Sequence, residues 1–151
     1  MATASSLGAF LDALRDALGE RHGLTGVRVF TGPVGEKDIG AENIVLAGEE
    51  TGVDQDYPTV PQRESFESYD VVGSIWIVKQ GGGESAIKAA RDRALEILTE
   101  VQSECIANDT MTGTVRDVLL VSFTMTQFAL DAARDCRIAF TLRVQAHYTA
   151  P

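Results

Sequence analysis

The stretch Ile138-Ala139-Phe140-Thr141-Leu142-Arg143-Val144-Gln145-Ala146-His147-Tyr148 alternates without a lapse. Ile138, Phe140, Leu142, Val144, Ala146 and Tyr148 fall on one side; Ala139, Thr141, Arg143, Gln145 and His147 fall on the other. Successive strand side chains point to opposite faces, so this reads as a long strand with one buried face and one wet face. A helix packed over the wet face would bury polar groups without partners. Arg143, Gln145 and His147 are therefore expected to meet solvent, a lumen or a neighbouring subunit.

Working outward, Leu119, Val121, Phe123 and Met125 alternate with Leu120, Ser122, Thr124 and Thr126 in a second long strand. The connection from Ala129 to Arg134 is short enough for an antiparallel hairpin. Upstream, Arg63 to Lys79 forms a third long strand, with Tyr69, Val71, Ile75 and Ile77 on one face and Asp70, Ser74 and Trp76 on the other. Gly73 is expected to mark a bulge or bend. After Gln80-Gly81-Gly82-Gly83, the spacing of Ile87, Ala90, Ala94, Ile97, Leu98, Val101 and Cys105 predicts a helix from Glu84 or Ser85 to about Ala107.

Near the start, Ser5 or Ser6 is a plausible N-cap, and Leu7, Phe10, Leu11, Leu14 and Leu18 follow at helical spacing until Gly23 stops the helix. Val27 to Thr31 and Asn43 to Ala47 read as short strands bounded by glycines. From Glu49 to Gln62 periodicity is weak and Gly52, Pro58 and Pro61 interrupt it, which predicts a long acidic surface loop at about 48–62. The whole, residues 1–151, is expected to be one domain of the α+β class. It is a mostly antiparallel twisted sheet with two amphipathic helices packed on one face.

With 151 residues the chain buries roughly 68–70% of its unfolded surface and holds a core without staples. Its 13 basic and 22 acidic residues give a formal charge of −9, which opposes binding to a phosphate backbone. Glu36, Asp38, Glu42, Glu49, Glu50, Asp54 and Asp56 concentrate much of that charge, with only Lys37 in return. The apolar runs are too short to span a bilayer, and the first residues lack the pattern of a signal peptide, so the cytoplasm is the expected compartment. Cys105 and Cys136 lie far apart with no CxxC spacing and read as small buried hydrophobes.

Sites for chemistry are hard to find in the sequence. The glycines at 81–83 sit where a phosphate loop would, but GxGxxG and GK[ST] are absent and Glu84 opposes an anion, so a connector is the simpler reading. Neither His22 nor His147 has a Cys, Asp or His neighbour in the sequence at ligand or triad spacing. His22 reads as a helix C-terminal residue and His147 as a residue of the polar strand face. Asp54-Gln55-Asp56 begins like a calcium loop, yet Tyr57 and Pro58 follow where a glycine and a later glutamate would be needed. Lys88, Arg91 and Arg93 with Glu96 and Glu100 read as ion pairs on an exposed helix face. No catalytic, cofactor-binding or metal-binding residue is assigned. Trp76, placed with Asp70 and Ser74, is either an interface anchor or covered by the acidic loop.

The pattern as a whole resembles the tail terminator, or tail completion, family of long-tailed bacteriophages and related tail-like particles. It is carried by the opening helix of Leu7, Phe10, Leu11 and Leu14, the turn Thr31-Gly32-Pro33 and the loop before the Arg63 to Lys79 strand. The helix after Gly81-Gly82-Gly83 and the hairpin ending in Phe140-Thr141-Leu142-Arg143-Val144-Gln145-Ala146 complete it. The resemblance spans nearly the whole chain, rests on architecture and implies no enzymatic activity and no cofactor. It implies a structural virion protein, assembled in the bacterial host cytoplasm and placed at the head-proximal end of the tail. There a ring of identical subunits, typically six, caps the tail tube, ends its growth and offers a surface to the head connector. The implied partners are other copies of the chain, the tail tube protein and a connector or stopper protein, with DNA only as passing cargo and no membrane. The expected contact residues are Trp76, Arg143, Gln145 and His147 on the polar face, with Glu49, Glu50, Asp54, Asp56 and Tyr57 in the acidic segment. Another head-to-tail joining protein (a stopper or adaptor) is the alternative, and a small ligand-binding or enzymatic α+β domain a more distant one.

Overall fold

The strand read from Ile138 to Tyr148 is the second-to-last of the sheet in space and the last in sequence, β6, spanning Ala133–Thr149. In the computed structural model, which describes residues 4–59 and 64–149, it follows α1 (Leu7–Gly19), β1 (Arg28–Phe30), β2 (Glu42–Leu46), β3 (Val53–Thr59), β4 (Glu64–Gln80), α2 (Glu84–Ala107) and β5 (Asp117–Ala129). Short 3-10 turns occupy His22–Leu24 and Glu36–Asp38. The six strands form one sheet in the order β1-β2-β4-β6-β5, with β3 pairing β4 beside that path. All pairings are antiparallel except β1 with β2.

Alternation decides which residues face the helices. Tyr69, Val71, Ile75 and Ile77 of β4 stand beside Val144, Leu142, Ile138 and Cys136 of β6, and all are buried. Ile44 and Leu46 of β2 continue the same face opposite Ile75 and Gly73. Phe10, Leu14 and Leu18 from α1 and Ala90, Ala94, Ile97, Val101 and Cys105 from α2 close the core from one side. Burying each large apolar side chain contributes about 1.5–3 kcal/mol, so this single interlayer core dominates the favourable terms.

Gly73 proves to be a packing device rather than a bulge. The β4–β6 register runs unbroken from Glu64 to Gln80, and a Cβ built on Gly73 would fall into the ring of Phe140 directly across the ladder. The bulges lie elsewhere, in β5 between Leu120 and Ser122 and in β3 between Asp56 and Thr59.

A larger correction concerns residues 48–62. Instead of a loop throughout, Val53–Thr59 forms β3, pairing with the first part of β4 from Val53↔Tyr69 to Thr59↔Glu64. Strand pairing uses the backbone, so the aspartates that suppress an apolar pattern do not prevent it, and Pro58 is tolerated on an edge strand. Residues 60–63, including Pro61, Gln62 and Arg63, lie outside the described residues.

The helices are anchored by charged and polar contacts that skip long distances in sequence. Arg21 bridges Glu100 at 2.7 Å and Glu104 at 2.6 Å, while Arg93 reaches Glu42 at 3.0 Å and the Gly23 carbonyl at 3.1 Å as well as Glu96 at 2.7 Å. Of the ion pairs expected along α2, Arg93 with Glu96 forms, but Glu100 turns to α1's end instead of to its own helix. The glycine connector is tied down by Gly81 N–H donating to the Ala132 carbonyl at 2.8 Å, and Gly83 takes a φ of +85° at the N-cap of α2.

Candidate functional site

With both helices on one side, the opposite sheet face has no helix over it among the described residues. Register places Phe66, Ser68, Asp70, Ser74 and Trp76 of β4 in line with His147, Gln145, Arg143, Ala139 and Arg137 of β6 on this face. The pairings Asp54↔Ser68 and Asp56↔Phe66 bring the two β3 aspartates onto it as well. Arg143, Gln145, His147, Asp54 and Asp56, which are far apart in sequence, are thus gathered at one end of one exposed surface. Trp76 lies toward the other end. Glu49 and Glu50 are exposed in the turn between β2 and β3, and Tyr57 has its backbone in β3 with its side chain outside the described residues.

The contacts on this face are those of a polar surface. Arg143 Nε donates to Asp70 at 3.2 Å, and both side chains are about half exposed. The imidazole of His147 stacks on Phe66 with ring centres 4.9 Å apart and planes 18° from parallel. Two shallow clefts open there, one of about 340 Å³ bordered by Gly52, Asp54, Asp70, Arg143 and Gln145, the other of about 310 Å³ bordered by Asp56, Phe66, Arg116 and Gln145. Among the described residues no group of three or more His, Cys, Asp or Glu is disposed to hold a metal ion. No helix among the described residues is long and apolar enough to cross a membrane.

Trp76 is covered by a cation. The guanidinium of Arg137 lies 4.7 Å from the Trp76 ring centre and 5.3 Å from that of Phe128, while its Nε donates to Asp135 at 3.1 Å. Asp135 is buried and its other oxygen, Oδ1, has no hydrogen-bond partner among the described residues. Across the β2–β4 ladder from Trp76, the buried side chain of Asn43 donates to the Trp76 carbonyl at 3.3 Å and closes a ring of hydrogen bonds with Gly40 at 2.7 and 2.8 Å.

Sequence reasoning missed a second polar cluster, on the helix side of the sheet. Glu67 is 2% exposed and its carboxylate accepts from Ser6 N–H at 3.0 Å, Ser6 Oγ at 2.7 Å, Ser5 Oγ at 3.2 Å and Gln55 Nε2 at 2.6 Å. Burial raises the carboxyl, but the hydrogen bonds from Ser6, Gln55 and Ser5 outweigh it and hold Glu67 below the usual range. Burial likewise pushes the Tyr69 hydroxyl, 3.0 Å from Ser6 Oγ, up to about 12. Ser6 occupies the N-cap position of α1 but gives its hydroxyl to Glu67 instead of to the helix, while Ser5 Oγ accepts from Leu7 N–H at 3.1 Å. The signal was present: alternation from Tyr69 and Val71 back along β4 puts residue 67 on the buried face. The cluster joins α1, β3 and β4 and is structural. The thiols are also quiet, with burial pushing Cys105 up to about 12 and raising Cys136.

β5 departs from the expected alternation. The bulge at Val121 turns Leu119 to the open face beside Arg143, whereas Phe123 and Met125 stand beside Phe140 and Ile138 on the helix side. Both nonetheless remain exposed, because β5 is the edge strand and the helix layer is centred on β4 and β6.

No known family's sequence profile matches the chain, and no curated protein matches it in sequence. A search of solved structures finds a chain from the virion of a native gene transfer agent particle that superposes with a TM-score of 0.62. The two are 14% identical, and the match covers 95% of this chain and 100% of the other. At that identity the likeness shows a shared fold.

Proposed function

We propose that the chain is a structural virion protein of the tail terminator type, which forms a ring on the head-proximal end of a tail tube. The reading is carried by the open polar sheet face, which gathers Asp54, Asp56, Asp70, Arg143, Gln145 and His147 without a constellation for catalysis. A surface of that kind suits contact with other subunits or the lining of a passage. That the same fold serves in the virion of a gene transfer agent particle supports this choice over an enzyme.

In this reading the subunits meet head to tail and close, since heterologous contacts generate a ring when the rotation closes. One side of the ring meets the last tube ring and offers it no further copy of the tube's own surface, so growth stops there. The other side receives the head connector or stopper protein. A chain of net charge −9 also repels DNA passing through the lumen. The alternative, a stopper or adaptor at the same junction, would share the fold and the virion location but bind the connector and not the tube.

The test is to mix the purified chain with tail tubes assembled from their own tube protein and image the product. Rings seated at one tube end, with tubes that no longer lengthen, are the expected result. Tubes that grow unchanged in the presence of the protein would overturn the terminator reading, and rings found only on connectors would favour the stopper.

A further inference from the structure

The longest uncharged run of the sequence lies along a sheet edge that has no strand partner among the described residues. From Val118 to Leu130 the sequence Val-Leu-Leu-Val-Ser-Phe-Thr-Met-Thr-Gln-Phe-Ala-Leu carries no charged residue, proline or glycine. Among the described residues, eight large apolar side chains are more than about a third exposed, and six of them belong here: Leu119, Val121, Phe123, Met125, Phe128 and Leu130. Every residue from Val121 to Leu130 is exposed. Edge strands of soluble proteins usually carry lysine, proline or other charges that prevent pairing. After Asp117 at its start, β5 has only the bulge at Val121, and its pairing with β6 is regular beyond it, from Ser122↔Thr141 to Ala129↔Arg134.

We infer that β5 is the edge on which a second copy of this chain docks, by adding a strand to the sheet. This rests on the self-association in the proposed function and names the surface that carries it. Charge argues for a second copy. Two chains of −9 repel one another over most of their surfaces, and the run between Asp117 and Asp131 is a stretch of edge that an acidic neighbour can approach without facing a carboxylate of that strand. Area agrees: six partly exposed apolar side chains, on the order of 100 Å² each, offer about 600 Å², near the ~800 Å² per partner of a standard interface once the backbone is added. Strand addition also satisfies the outward N–H and C=O groups of β5, and apolar side chains on both of its faces are what a sheet continued across the contact would cover.

The full-length chain is sized by light scattering and native mass spectrometry over a concentration series, with Phe123→Asp on the helix side of β5, Leu119→Asp on its open face, and Ile106→Asp as a control on α2. The wild type should form an oligomer. Each β5 substitution should raise its dissociation constant about tenfold or more, and Ile106→Asp should leave it unchanged. Hydrogen exchange on the unsubstituted protein provides a measurement independent of any folding defect: the outward amides of residues 122–128 should be slow in the oligomer and fast after dilution to monomer. A wild type that forms no oligomer either alone or on tail tubes, an oligomer indifferent to both β5 substitutions, a response confined to one face, or exchange at β5 that ignores concentration would each overturn the inference. An oligomer that depends on β5 but never seats on tail tubes would uphold the inference while refuting the terminator reading. Tube-capping rings indifferent to β5 would do the reverse.

Discussion

The guanidinium of Arg137 is stacked over the ring of Trp76 at 4.7 Å, so among the described residues it is the neighbouring strand that covers the chain's only tryptophan. The same Arg137 donates to one oxygen of buried Asp135, whose other oxygen has no hydrogen-bond partner among the described residues. Replacing it with alanine removes a cation–π contact of about 0.5–1 kcal/mol and strips a donor from a buried carboxylate, at about 1–3 kcal/mol. Arg137→Ala is expected to lower the denaturation midpoint and to shift the emission of Trp76. Unchanged stability and fluorescence would show that the stack contributes nothing in solution.

Glu67 gives the chain an acid-sensitive joint. Its folded carboxyl is held below its ordinary value, so the stability it adds is fully present above the unfolded carboxyl range, roughly pH 4.3, and is lost as pH falls through the lower folded value. Glu67→Gln removes the charge that four hydrogen-bond donors serve and should cost about 1.5–3 kcal/mol at neutral pH. The gap between wild type and variant, followed by urea denaturation from pH 7 downward, should stay constant to about pH 5 and then narrow. A gap independent of pH would contradict the assignment.

Gly73 and Phe140 form a pair in which one side chain occupies the space the other lacks. Gly73→Ala overpacks a core site and should destabilise by about 1–3 kcal/mol. Adding Phe140→Leu should recover part of that loss, which a double-mutant cycle would detect. Strictly additive effects would show that the ring of Phe140 moves aside freely.

On the open face, Arg143 and Asp70 are a half-exposed pair and contribute little to folding. Arg143→Glu should change stability by no more than about 0.5 kcal/mol, yet it places a third acid beside Asp70 and Asp54 and should weaken ring formation. Trp76→Ala should likewise leave a folded subunit that assembles less well. Sizing and imaging of both variants check this, and unchanged assembly in both would remove these residues from the contact surface.

Much of this architecture is legible in the sequence because it depends on alternation and helical spacing. The buried series Ile138, Phe140, Leu142, Val144 and Ala146, and the stripe from Ala90 to Cys105, appear where their periods put them. What escaped notice depended on position in the sheet. β3 is held by backbone pairing, which Asp54, Asp56 and Pro58 disguise. The exposure of Phe123 and Met125 follows from β5 being an edge, a property set by the strand order and not by the residues. Asp54, Asp56, Arg143, Gln145 and His147 were each readable as surface residues, but only the register of β3, β4 and β6 brings them onto one face.

The most direct test of the ring reading is negative-stain imaging of the purified chain, alone and with tail tubes. Discrete rings of uniform diameter, or monomers that become rings at one end of each tube, are predicted. A chain that stays monomeric, never joins tubes and instead binds a small metabolite would contradict it.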